Sequence, residues 1–145
     1  MQYRSPDSVF PVAMIVHNPT DCCPEDTGLQ PGMTSYSVDV GAETPFGTDG
    51  KGVGFGAIAD GLFNTAMLVE RKTPVSWMRP DQEITFETAG KGINKEAKRI
   101  GSRHTGGANI GLYDGSVHFF SDTIDLRVFK GIFTKAGGET ASIWD

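Results

Sequence analysis

Asn109-Ile-Gly-Leu-Tyr-Asp-Gly-Ser-Val-His-Phe-Phe120 is the stretch whose reading decides the fold. Asp114-Gly115 is a dipeptide that favours a tight reversal of the chain, and strand-forming residues flank it on both sides. A two-residue turn at Asp114-Gly115 predicts a hairpin with Tyr113 opposite Ser116, Leu112 opposite Val117, Gly111 opposite His118 and Ile110 opposite Phe119. In that register Ile110, Leu112, Val117 and Phe119 form an apolar face. Gly111, Tyr113, Ser116 and His118 form the other.

Working outward, a helix is expected after the hairpin, capped by Asp122 or Asp125. Leu126, Phe129, Ile132, Phe133 and Ala136 would form its inward stripe, and Gly137-Gly138 would stop it. Gly131 weakens the interior by about 1 kcal/mol relative to alanine. Upstream, residues 34–40 alternate Tyr36, Val38 and Val40 with polar residues, which is the pattern of a half-buried strand. Residues 12–16, 65–70, 75–78 and 83–87 read as further short strands, the last with Ile84 and Phe86 on one side. Residues 41–61 are a glycine-rich loop, and residues 90–108 are polar, basic and punctuated by glycine. Strands in a run with one helix at the end predict an α+β fold with an antiparallel sheet. Residues 1–33 read as an irregular, proline-rich segment and residues 34–145 as the folded domain.

The composition agrees. The chain has 145 residues, about one domain's worth, with 19 glycines and 8 prolines. That content implies many turns, and it excludes a coiled coil or a long helical bundle. The net charge of −5 argues against non-specific nucleic-acid binding. A local basic cluster of Lys91, Lys95, Lys98, Arg99 and Arg103 reads as a solvated loop, with an anion or partner site as the alternative. The longest apolar run, Val9–Val16, contains Pro11 and is far short of a membrane span. Cys22 and Cys23 are adjacent. A strained vicinal disulfide competes there with free thiols or an outside partner, and no four-ligand zinc pattern accompanies them.

Several segments together carry a resemblance. His104 is followed after nine residues by Asp114-Gly115-Ser-Val117, with Gly106, Gly107 and Asn109 between. Asp60-Gly61-Leu-Phe-Asn64-Thr65-Ala-Met-Leu-Val-Glu70 precedes it, as do Cys23-Pro-Glu-Asp26 and Thr73-Pro-Val-Ser-Trp77 with Pro80. In this order they resemble the DUF1559 family, prepilin-like proteins of planctomycete bacteria with a C-terminal H-x9-DG signature. The likeness covers roughly residues 20–140. It implies a pilin- or pseudopilin-like head domain with long glycine-rich loops, located at the cell envelope or outside the cell. The implied role is structural or secretion-associated, through protein partners or self-association, rather than catalytic. Family members begin with a prepilin peptide and a long apolar helix. The sequence here shows none, and reads as a head domain or a tail-less form. Leu62-Phe63 replace a small polar pair, suggesting either a contact surface or inward packing.

Site candidates are few. His104 with Asp114 is the obvious pair, suited to binding a metal or to acid–base work. Asp114 is also explained by the turn, and His104 by a structural role at the entry to the hairpin. His118 would join a site only if the fold brought it near His104, and His17 has no evident partner. Asp49-Gly50 and Asp60-Gly61 bracket the glycine loop in a way that resembles the calcium loop of major pseudopilins. Asp49, Asp60 and nearby carbonyls are therefore candidate calcium ligands. No nucleophile elbow or phosphate loop is present. The first reading is a non-enzymatic interaction domain without a cofactor. The alternative is a metal-binding module or metal-dependent enzyme using His104, His118 and nearby carboxylates.

Overall fold

The computed structural model describes residues 23, 25–26, 32–47, 52–76 and 84–138. Its centre is a four-stranded sheet, and every pairing within it is antiparallel. The strands are β1 (Met33–Ser37), β3 (Ala66–Ser76), β5 (Gly107–Leu112) and β6 (Val117–Ser121), adjacent in that order. A second, two-stranded sheet pairs β2 (Asp39–Val40) in parallel with β4 (Ile84–Thr85). Two short helices, α1 (Phe86–Ala89) and α2 (Leu126–Gly131), complete an α+β fold of the expected class.

One face of the large sheet supplies Ala66, Val69, Ala108, Ile110, Leu112 and Phe120 to the core. Ala89, Ile93, Phe129, Ile132 and Phe133 cover it from the helical side. Phe129 and Phe133 meet edge to face with centroids 5.2 Å apart, and Phe120 lies 6.4 Å from Phe129. Such contacts add to the area term that dominates burial.

The hairpin is present, but its register differs by one residue from the expected one. Ile110 lies opposite His118, Asn109 opposite Phe119, Ala108 opposite Phe120 and Gly111 opposite Val117. The cause is the turn. A two-residue turn of the expected type needs positive φ at both central positions. Only Gly115 has it, at 88°, since Asn94 is the one described non-glycine residue with positive φ. The loop is therefore Tyr113-Asp114-Gly115, closed by Leu112 N–H to Ser116 O (2.8 Å) and Gly115 N–H to Leu112 O (3.0 Å). Asp114 accepts from the Ser116 N–H at 2.9 Å and the Ser116 hydroxyl at 2.6 Å. A one-residue slip exchanges the faces of β6. Phe120 enters the core, while Val117 and Phe119, expected there, are 66% and 53% exposed.

Other boundaries moved for local reasons. The strands expected over 65–70 and 75–78 belong, as far as residue 76, to one long strand, β3, whose pairing with β1 shifts between Thr34 and Tyr36; residues 77–78 lie outside the described residues. The segment expected as a strand over 83–87 turns helical at Phe86, because Thr88 Oγ1 captures the Thr85 N–H at 2.9 Å. The last helix starts as expected: the Asp125 carboxylate accepts from the N–H groups of Arg127 (2.8 Å) and Val128 (3.4 Å). It ends at Gly131, six residues earlier than Gly137. The Thr134 hydroxyl takes the Gly131 carbonyl at 2.9 Å, competing for the acceptor a continuing helix would need. Ile132 and Phe133 are buried from the turn that follows, whereas Leu126 and Ala136 face out. The strand expected over 12–16 lies outside the described residues.

Candidate functional site

The sheet's second face holds a polar cluster. Antiparallel pairing puts Tyr36 opposite Glu70, and Asn109 opposite Phe119, on the side facing away from the core. Glu70 belongs to that side because its neighbour Val69, paired with Ile110, points inward. Residues 102–106 lead into β5 at the same end. Ser102 anchors this lead: its hydroxyl donates to Gly107 O at 2.7 Å and accepts from the His104 N–H at 3.0 Å. Its own N–H donates to Asn94 Oδ1 at 3.0 Å. The His104 side chain is thereby aimed back across Glu70.

Gly107 is required for this approach. A Cβ there would lie 2.0 Å from the Phe120 carbonyl oxygen and 2.8 Å from the Phe119 ring. The Phe119 ring in turn meets the His104 imidazole edge to face, with centroids 6.5 Å apart.

Cys23 and Glu25 arrive from the N-terminal side. The turn is closed by the Asp26 N–H donating to Cys23 O at 2.9 Å. Asp26 fixes it to the sheet, accepting from the Ser35 hydroxyl and pairing with Arg103 Nε at 2.5 Å. The result is a compact constellation. Cys23 Sγ lies 3.3 Å from His104 Nε2, and that nitrogen lies 3.4 Å from Glu70 Oε1. His104 Nδ1 lies 3.0 Å from Glu25 Oε2, the same oxygen that accepts from Cys23 Sγ at 3.0 Å. Glu70 is held by Asn109, whose backbone N–H donates to Oε2 at 2.6 Å and whose side-chain amide donates to Oε1 at 3.3 Å.

Cys23 and Glu70 are nearly inaccessible, 2% and 1% exposed. Burial, reinforced by the hydrogen bond to Glu25, pushes the Cys23 thiol up to about 11. The same hydrogen bond leads the causes that hold the Glu25 carboxyl below its ordinary value. Cys23 is a free thiol. Cys22, and with it any question of its own pairing, lies outside the described residues.

The sequence-derived candidates are distributed differently from what was expected. His104 is in the cluster, but Asp114 is not. Asp114 lies beyond the far end of β5, whose six residues at ~3.3 Å each put it roughly 20 Å away. His118 sits near that same far end, with Nε2 2.9 Å from Ser116 Oγ. Asp60 accepts from the Thr134 hydroxyl (3.0 Å) and from the N–H groups of Gly137 (2.8 Å) and Gly138 (3.1 Å), so it anchors the chain after α2. Asp49 and His17 lie outside the described residues. In the basic cluster, Lys91 and Arg99 pair with Glu96, and Arg103 pairs with Asp26. Of Leu62-Phe63, Phe63 is exposed and Leu62 is partly covered.

Residues 73–127 match the sequence model of a family described as protein of unknown function (DUF1559). Over this stretch the chain is similar to that family. The DUF1559 region contains His104, Gly107, Asn109 and the whole β5–β6 hairpin, so it carries one wall of the cluster. Cys23, Glu25 and Glu70 come to the DUF1559 region from outside the matched stretch. No curated protein and no solved structure matches the chain. No helix among the described residues is long and apolar enough to cross a membrane.

Sequence reasoning missed Glu25, Glu70 and the inward role of Cys23. Two signals pointed to them: the Cys23-Pro-Glu-Asp26 element and the Glu70 that ends the Thr65–Glu70 run, both noticed for their likeness and not for their chemistry.

Proposed function

We propose that the chain is a non-enzymatic, pilin- or pseudopilin-like interaction domain that acts at the cell envelope or outside the cell. It works through contacts with protein partners or with copies of itself. The observation that carries the reading is the exposure of Val117 and Phe119 on β6, which among the described residues pairs on one side only. An apolar edge strand is a template for docking another chain, and free-standing proteins blunt such edges with charge or proline. Phe55 and Phe63 extend the exposed apolar surface at the hairpin-turn end, where Phe55 stacks edge to face on Tyr113 at 6.4 Å.

Site-specific photo-cross-linking in the cells that produce the protein tests this. A photoreactive residue at position 119 or 63 should give discrete adducts in the envelope or extracellular fraction, and one at Glu87 on α1 should not. A cytoplasmic protein giving no adduct above the Glu87 control refutes the reading.

A further inference from the structure

The Cys23 cluster has the geometry of a coordination site. Its potential ligand atoms, Cys23 Sγ, Glu70 Oε and a His104 ring nitrogen, all lie within 4.8 Å of one another. A tetrahedral zinc with bonds of about 2.3 Å to sulfur and about 2.0–2.1 Å to nitrogen or oxygen separates neighbouring ligands by roughly 3.3–3.6 Å. The observed Sγ–Nε2 and Nε2–Oε1 separations are 3.3 and 3.4 Å. Two of the three ligand–ligand edges already have about the length such a tetrahedron needs, and the third pair lies within 4.8 Å.

The supporting groups match as well. A zinc-bound imidazole usually gives its other ring nitrogen to a carboxylate, which fixes the tautomer and the ring plane. Glu25 Oε2 occupies that place, 3.0 Å from His104 Nδ1. Asn109 steadies the Glu70 carboxylate through two donors. The donor set of thiolate, imidazole and carboxylate suits zinc and not calcium or magnesium, which take oxygen ligands.

We propose that Cys23, Glu70 and His104 Nε2 form a zinc site, with Glu25 orienting the imidazole from Nδ1. Binding forms bonds from Zn²⁺ to Sγ, Oε1 and Nε2, and the thiol proton leaves to solvent. A water completes the fourth position on the side of His104, which is the more accessible of the three ligands. The ion joins residues separated by 81 positions along the chain, so it acts as a clip holding the Cys23–Asp26 turn against the sheet. Phe119 of the docking surface on β6 packs against His104, but zinc uptake by the purified chain reads this site without any docking partner.

The test uses the purified full chain under reducing conditions, loaded with cobalt(II) or zinc(II). One cobalt per chain should bind and give a near-ultraviolet thiolate-to-cobalt charge-transfer band. Cys23→Ser should abolish the band, and His104→Gln should abolish stoichiometric zinc uptake measured against a chromophoric chelator. Glu25 is largely exposed, so Glu25→Gln should fold normally while weakening zinc ~10–100-fold, as expected for loss of an orienting carboxylate. Zinc should raise the melting temperature of the native chain and not of Cys23→Ser. Asp114→Asn and His118→Gln should bind as the native chain does. A folded chain that takes up no stoichiometric cobalt or zinc at neutral pH overturns the proposal. So does a charge-transfer band that survives Cys23→Ser, or zinc affinity unchanged in Glu25→Gln.

Discussion

Replacing Asp39 by asparagine should remove the main reason for this fold to lose stability as pH rises toward 8. The Asp39 side chain on β2 is 3% exposed, and neither carboxylate oxygen accepts a well-formed hydrogen bond among the described residues. Burial pushes its pKa up to about 8, partly offset by the Val40 N–H. In the unfolded chain the group loses its proton near 3.9, whereas the folded chain keeps it until about 8. Between those values the unfolded state binds fewer protons, so stability falls with rising pH and levels off above 8. A separation of about 4 pH units at 1.36 kcal/mol each corresponds to ~5 kcal/mol. That is a large share of the ~5–15 kcal/mol typical of a domain. Tyr113, the group whose titration responds to the Asp39 charge, is itself raised to about 12, first by burial, and stays neutral through this window. The assay is urea unfolding at pH 5, 6, 7 and 8, comparing the native chain with Asp39→Asn. The pH dependence of all other groups cancels in the difference. The variant should gain on the native chain progressively, by at least ~3 kcal/mol at pH 8. Two parallel stability curves would refute the reasoning.

Three further outcomes are expected from the same fold. Gly107→Ala puts a Cβ 2.0 Å from the Phe120 carbonyl oxygen, so β5 and β6 must separate. Its circular dichroism and melting curve should show loss of the native fold or destabilisation above ~3 kcal/mol. Phe129→Ala empties a site that is fully buried between Phe120 and Phe133 and should cost ~3–5 kcal/mol in urea unfolding, whereas Val117→Thr on the exposed edge should change stability by less than ~0.5 kcal/mol. Gly115→Ala forces a side chain into a φ of 88° with nothing crowding it, so the cost is backbone strain alone, ~1–2 kcal/mol, read from the unfolding midpoint.

The hairpin and the position of its turn were legible because Asp-Gly between strand-like segments has few other readings. The register was not, because Asp-Gly serves both a two-residue and a three-residue loop. The two differ in whether Asp114 adopts positive φ, and here the Ser116 hydroxyl and N–H hold Asp114 out of it. The start of α2 was legible through Asp125. Its end was not, because Ile132 and Phe133 keep helical spacing while burying themselves from a turn. The strands read at 65–70 and 75–78 join in β3, where residues 71–74, Pro74 among them, are the extra residues that shift the register against β1 between Thr34 and Tyr36. Of the three converging side chains, His104 was the one visible as a site candidate. The rest depends on a tertiary convergence of positions 23, 70 and 104, and no local pattern records that.

The one-residue slip in the hairpin does more than correct a pairing. With the expected two-residue turn, Phe119 would have joined Ile110 and Leu112 in the core, and β6 would have presented His118 outward. With Gly115 as the single left-handed residue, Phe120 takes the core position. Phe119 then falls on the outer face, where its ring contacts His104 and closes over the Cβ-less Gly107. The turn at one end of the hairpin thus determines what covers the cluster at the other end. It also leaves Val117 and Phe119 exposed along the edge strand, the surface assigned to docking. The Asp114-Gly115 and His104 ends of the nine-residue spacing are therefore coupled through strand register, and not through contact between the two side chains. A side chain at position 115 that re-registers β6 should disturb His104 even though the two lie roughly 20 Å apart.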